Sequence, residues 1–339
     1  MRKVEEVLLR LLKAYSPTGR EKQAEGELLK ISRDLGLEAE VDEVGNVLMG
    51  RGEEVWLVGH YDTVPGKLPV AKEGELLKGR GAVDAKGPLA AMIVAAASLK
   101  DTPVKVAALV AEEGDSRGAK HILKNLEASY VIIGEPTNTT GIAVAYRGSV
   151  KILLECRAEA SHSSSPGKSA VDKLIEAILE IKKLAPGASY STPSAAVTLI
   201  RGGSGYSTLP KKAIAKIDLR IPLGTSSSEL ISKLPKPPEG CKLTVTSAID
   251  PVSVPPSSPV PRALARALLK QGIKPRLLRK YGTSDMNLIH PKVKSIAAYG
   301  PGESRLAHTD KEKVSIKDLE TAVKTYMEAA KELSKLKQT

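Results

Sequence analysis

Three short apolar runs, each ending in a histidine or a carboxylate, constrain this chain more than any other feature of it. Residues 55–58, Val-Trp-Leu-Val, run into Gly59 and set down His60 and Asp62. Residues 104–110 deliver Glu112, Glu113 and Gly114, and residues 130–133 end in Gly134, Glu135 and Pro136. Runs this short, rich in β-branched residues and closed by turn residues, predict buried strands. In an open α/β sheet, ligands sit beyond the carboxyl ends of the strands. One His beside a turn Asp carries little weight alone. Adjacent carboxylates at a buried strand end repel each other and are costly without a cation. Three such ends in one chain therefore point to a common centre.

Helical spacing surrounds these runs. Val4, Val7, Leu8, Leu11 and Leu12 form one stripe over residues 3–14, and a second helix over 21–35 stops at Gly36. Residues 38–44 and 46–49 read as short strands around Gly45. Residues 89–99 form an Ala-rich apolar helix expected to be buried on most sides. Asp84 stands just before it, where an Asp also serves as a helix cap.

From Arg147 the style changes. Val150, Ile152, Leu154 and Cys156 alternate along a strand over 149–157. Next come a loop at 161–166, a helix over 170–184, strands over 195–200 and 213–221, a helix over 229–234 and a strand over 242–247. This β-α-β-β-α-β order predicts a small two-layer α+β domain of ferredoxin-like type. Pro251, Pro255, Pro256, Pro259 and Pro261 mark its end. The first style then returns: a helix over 262–271, strands over 277–280 and 295–299, and a closing helix over 316–336. The expected class is α/β. A discontinuous catalytic domain, 1–146 and 254–339, has a mixed sheet flanked by helices, and a smaller domain, 147–253, is inserted. A length of 339 residues suits two cores better than one.

Charge asks for a partner. Lys and Arg total 51 against 39 Asp and Glu, a formal net charge of +12. Such a surface attracts nucleic acid, membrane or an acidic protein. With no Phe and one Trp, platforms for base stacking are scarce, and no nucleic-acid motif is present. The bases are dispersed, as on a solvated surface or in the ion-pair networks of a heat-adapted protein. No apolar run approaches the roughly 20 residues of a membrane span. The N-terminus lacks the apolar core of a signal peptide, so the cytoplasm is the expected compartment. Cys156 and Cys241 lie far apart and form no zinc-type pair. Reduced thiols are therefore expected.

His60, Asp84, Glu113, Glu135 and His308 supply two imidazoles and three carboxylates, donors suited to zinc and also to cobalt or manganese. If Asp84 bridges, each of two metal ions receives one His, one further carboxylate and a share of Asp84, with a water between them. Glu112 is then free to take the water's proton and pass it to a leaving nitrogen. Asp62, two residues from His60, is expected to hydrogen-bond the imidazole and fix its tautomer.

These motifs, Gly59-His60-Tyr61-Asp62-Thr63-Val64-Pro65, Gly79-Arg80-Gly81-Ala82-Val83-Asp84-Ala85-Lys86-Gly87, Glu112-Glu113-Gly114, Gly134-Glu135-Pro136-Thr137 and the late His308, resemble in order the co-catalytic zinc exopeptidase and deacylase family. That family includes acetylornithine deacetylase, succinyl-diaminopimelate desuccinylase and carboxypeptidase G. The resemblance spans nearly the whole chain, insertion included. It implies a phosphorylase/hydrolase-like zinc-peptidase fold, two divalent ions per subunit (Zn2+ or Co2+), Glu112 as general base, and an inserted lid that forms a homodimer. His162 matches a lid histidine that reaches a neighbouring subunit's site and stabilises the oxyanion. Arg220 resembles a lid arginine for a substrate carboxylate, and Gly282-Thr283-Ser284-Asp285 a substrate-side loop. The family's lid Asn has no match in Ser207-Thr208-Leu209-Pro210.

The short length and the segment from Tyr299 to His308-Thr309 most resemble the branch that releases lysine or ornithine from an acidic amino-group carrier protein, in lysine and arginine biosynthesis. The basic surface suits an acidic partner through electrostatic steering. A small-molecule N-acyl amino acid deacylase or dipeptidase is the near alternative. A metal-free binding protein would have eroded the ligand set, and all five positions are present.

Overall fold

The computed structural model describes residues 3–187, 189–203 and 205–336. They fall into two compact units. One lies within Met1–Ala145, Val254–Arg279 and Ser284–Thr339, the other within Tyr146–Ser253 and Lys280–Thr283.

The larger unit is built on a mixed sheet. Its centre is four parallel strands in the order Val104–Leu109, Val55–His60, Tyr130–Gly134 and Ser295–Tyr299. Val47–Arg51 and then Ala39–Val41 add antiparallel on one side, and Gly141–Tyr146 adds antiparallel on the other. Val55–His60, Tyr130–Gly134 and Ser295–Tyr299 are buried throughout. Parallel strands are covered on both faces, so their sequences read as continuous apolar runs and not as alternating ones. The Ala-rich helix begins earlier than its apolar run, at Lys86, and extends to Ser98, buried from Lys86 to Ala96. It packs on the closing helix Ile316–Lys335. Its N-cap is Ala85, so Asp84 does not cap it.

Strand register sets the site. His60 pairs with Leu109, Val58 with Ile133, and Tyr299 with Gly134. Four carboxyl ends therefore lie side by side. Beyond them Glu135 N–H donates to Tyr299 O (3.3 Å) and Thr137 N–H to Gly300 O (3.2 Å), zipping the loop of Glu135 to the one that leads to His308.

The smaller unit shows the β-α-β-β-α-β order: Gly148–Arg157, Ala170–Leu184, Ser194–Gly202, Lys212–Ile221, Ser227–Ser232 and Cys241–Ile249. Its four strands are antiparallel, with Ser194–Gly202 and Cys241–Ile249 at the edges. Lys280–Thr283 belongs with this unit: Arg147 N–H donates to Lys280 O and Tyr281 stacks edge-on against Tyr190.

One expectation is overturned. Cys156 and Cys241 form a disulfide, with Cα atoms 4.0 Å apart, and neither is a free thiol. They are direct cross-strand partners in the register of Gly148–Arg157 and Cys241–Ile249. A separation of 85 residues hid a pairing that only sheet register creates.

Candidate metal centre

His60 closes its strand and is 2% exposed. Its Nδ1 faces the backbone carbonyl of Asp62 at 3.0 Å, and its Nε2 faces Asp84 Oδ1 at 3.2 Å. The other oxygen of Asp84 lies 3.3 Å from His308 Nε2, which also meets Glu113 Oε1 at 2.6 Å. One carboxylate thus lies between two imidazoles, one oxygen to each. Ligand atoms of His60, Asp84 and Glu113 all lie within 4.8 Å of one another. Glu135 is buried at the end of the neighbouring strand.

Lone pairs converge here from the imidazole nitrogens of His60 and His308 and the carboxylate oxygens of Asp84 and Glu113, with no positively charged side chain among these four groups. Such a set is satisfied by protons on the rings or by cations. With protons, burial alone would lower the His60 imidazolium, but Asp62 and Asp84 carry it well above the usual histidine range. Asp84 and Glu113 raise His308 to about 10. Burial opposes ionisation of Asp84, yet His308 and His60 hold it below the carboxylate norm. Imidazole nitrogens set against carboxylate oxygens in this way are the donors and the charge that a divalent cation of zinc type takes.

Asp62 has further partners besides the imidazole. Its carboxylate is 3.5 Å from His60 Nδ1, and the ring's nearer partner is the Asp62 carbonyl. The carboxylate accepts from Glu112 N (3.0 Å), Glu113 N (3.3 Å) and the Thr18 hydroxyl (2.7 Å). Asp62 therefore aims the Glu112-Glu113 backbone as well as sitting under the imidazole. Ala111 just before that pair has φ +57°, and His308 has φ +63°. Left-handed backbone is uncommon for residues with a Cβ and is held here by the surrounding contacts.

Glu112 is partly exposed. Burial of its carboxylate, together with Glu135, Asp285 and Glu113, pushes it well above the ordinary range, against the pull of His60. The backbone N–H of Glu112 is held by Asp62 beside Glu113, which places the carboxylate to pass a proton at this centre.

The remaining candidates lie in the smaller unit or at its border. His162 is exposed, and its Nδ1 meets Ser164 Oγ at 2.8 Å. Arg220 pairs with Asp218 at 2.7 Å and donates to the Thr283 hydroxyl at 3.2 Å, so the structure brings two substrate-side candidates together. Gly282 adjoins them, while the Ser284 hydroxyl caps the short helix Asp285–Ile289.

Sequence reasoning missed one neighbour and gave two others, Lys86 and Asp285, no role of their own. Thr18 binds Asp62 from 44 residues away. Lys86, fully buried, donates to Leu11 O (3.0 Å) and Ala14 O (2.8 Å), and burial lowers its ammonium to about 7. Asp285, 3% exposed, has an Oδ1 with no hydrogen-bond partner, and burial raises its carboxyl to about 7. No spacing rule marks them, because each is defined by what folds over it.

Comparison with known proteins gives a family and its relatives. Residues 56–332 match the model of peptidase family M20/M25/M40. The chain is 41% identical over 335 residues to the LysW-lysine/LysW-ornithine hydrolase of Saccharolobus islandicus, covering 98% of this chain and 96% of the relative. The protein of the same description from Sulfurisphaera tokodaii is 38% identical over the same share of each. Among solved structures, an M20-family metallo-carboxypeptidase from Sulfolobus solfataricus has a TM-score of 0.83 at 19% identity, covering 98% of this chain and all of that one. A Staphylococcus aureus tripeptidase has a TM-score of 0.81 at 20% identity, covering 98% of each. At those identities the structural likeness shows the fold alone.

Proposed function

The chain belongs to peptidase family M20/M25/M40, a metal-dependent hydrolase of amide bonds, and from that premise we propose that it releases lysine or ornithine from the γ-carboxylate of an acidic amino-group carrier protein. The position of Asp84 between two imidazoles is the observation that carries the chemistry. Similarity over 98% of the chain to hydrolases described as acting on LysW-lysine and LysW-ornithine supports the substrate.

His60 with Glu135, and His308 with Glu113, would each hold one divalent ion, zinc or cobalt, with Asp84 shared. Bound there, the ions supply Lewis acidity for the scissile carbonyl and acidity for an attacking water. The chain's own residues do the rest. Glu112 accepts the water's proton on its carboxylate and delivers it to the departing α-nitrogen of lysine or ornithine. Asp62 keeps Glu112 and Glu113 aimed by accepting their backbone N–H groups. His162 of the partner subunit would donate to the carbonyl oxygen as charge develops on it. Arg220, with Thr283 beside it, takes the α-carboxylate.

A homodimer through the smaller unit is supported by its surface. Ile175 and Leu179, four apart on the helix Ala170–Leu184, are 48% and 55% exposed, and Ile200 on the edge strand Ser194–Gly202 is 56% exposed. Such a set of apolar residues beside a free edge suits self-association. No helix among the described residues is long and apolar enough to cross a membrane. We keep the cytoplasm as its compartment, where heat-adapted proteins also carry disulfides. The +12 charge would steer the acidic carrier.

A mass-spectrometric hydrolysis assay on the metal-stripped and the zinc- or cobalt-loaded protein tests this reading. Release from carrier-γ-lysine or carrier-γ-ornithine, with N-acetylornithine left intact, is the expected result. Cleavage of acetylornithine alone would make the enzyme a small-molecule deacylase.

A further inference from the structure

The turn that carries Asp84 is gripped from the far end of the chain. Glu312 is 1% exposed. Its Oε1 accepts three backbone N–H groups of that turn, from Gly81 (3.1 Å), Val83 (3.0 Å) and Asp84 itself (3.1 Å). Its Oε2 accepts from Arg80 Nη1 at 3.0 Å. Arg80, also buried, donates to Thr309 O (2.9 Å), one residue after His308, and to Gly66 O (2.9 Å). One carboxylate and one guanidinium thus bind the Asp84 turn to the His308 loop across 228 residues. The turn and the start of the helix after it are closely packed. Gly81 has φ +91°, and a Cβ there would lie 2.9 Å from Lys86 Cδ, while one on Gly87 would lie 2.2 Å from Ala82 O.

We propose that Glu312, braced by Arg80, is a positioning residue that sets the Asp84 carboxylate between His60 and His308 before any cation arrives. The proposal rests on Asp84 being a metal ligand. Three N–H groups converging on one carboxylate oxygen fix the orientation of the peptide planes around Asp84. A bridging ligand is sensitive to that orientation, because both of its oxygens must keep their partners at once. Outer groups that orient a ligand in this way typically change metal affinity by about 10–100-fold.

Glu312→Gln is the direct test. The amide oxygen can still face the three N–H groups, but the amide nitrogen then faces Arg80, donor against donor. Titration of Co2+ or Zn2+ alone into the metal-free protein should show affinity falling about 10–100-fold, with the visible absorption of bound Co2+ altered. Affinity and absorption equal to the parent's, with only the unfolding temperature lowered, would overturn the proposal and leave a purely structural pair. Hydrogen exchange on the unsubstituted protein gives a second measurement that does not depend on the variant folding. The amides of Gly81, Val83 and Asp84 should be protected equally with and without Zn2+. Protection that appears only with Zn2+ would overturn preorganisation. A parent protein that takes up no cation would instead overturn the ligand assignment and the proposal built on it.

Discussion

The two units treat their functional candidates in opposite ways. In the larger one, His60, Asp62 and Glu135 are buried, and the oxygens of Asp84 and Glu113 answer to imidazole nitrogens in the same cluster. In the smaller one, His162 is exposed beside Ser164, and Arg220 is already paired with Asp218. With His60 buried, Asp84 and Glu113 half-buried and His308 at the exposed side, the cluster makes sense only as a whole, because removing one member leaves another charge short of its partner. The candidates of the smaller unit satisfy themselves locally. They acquire a role only from a ligand or a second copy of the chain.

The sharpest test of that contrast is Glu112→Gln. Turnover should fall by about 10³-fold or more with metal content unchanged, as for a lost proton shuttle; full activity would remove the general base. His162→Ala should lower kcat by about 10²-fold, the cost of one oxyanion donor, with metal content intact. An unchanged kcat would confine the chemistry to the larger unit.

Asp285 extends the contrast to pH. Its folded carboxyl keeps the proton to about 7, against 3.8 for an ordinary aspartate. The folded state therefore binds more protons than the unfolded one between those values, and stability falls as pH rises through that window, by a few kcal/mol at most. Asp285→Asn should flatten the unfolding temperature of the metal-free protein between pH 4 and about 7. An unchanged slope would show that the carboxylate is compensated in the fold.

In the smaller unit the disulfide should matter more to stability than to catalysis. Cys241→Ser should lower its unfolding free energy by roughly 2–4 kcal/mol and leave metal content alone, as calorimetry and metal analysis would show. Arg220→Lys should raise KM about fivefold, roughly 1 kcal/mol, and spare kcat, because the ammonium keeps the charge and loses the planar fork. A fall in kcat without a change in KM would move Arg220 from substrate binding to the reacting centre.

The parallel centre of the sheet was legible because both faces are covered, so Val55–His60 and Tyr130–Gly134 read as unbroken apolar runs. The strand Gly141–Tyr146 was not resolved as an element of its own, although it too is apolar and buried, because no turn signal stronger than Arg147-Gly148 divides it from Gly148–Arg157. The short helix Arg117–Ile122 and the strands Ala71–Glu73 and Leu76–Lys78 carry too few residues for periodicity to speak.

What the sequence determined by itself was the set of donors and their order. Histidine and acidic residues placed just after buried strands have few places to go except the common end of a sheet, and a shared cation explains why they are there. Tertiary structure decided the rest. It turned Asp62 toward the backbone of Glu112 and Glu113, paired Cys156 with Cys241, and closed Glu312 on the turn of Asp84. Each of these depends on strand register or on loops meeting across tens to hundreds of residues. Local propensity and spacing act over a few residues and do not carry that information.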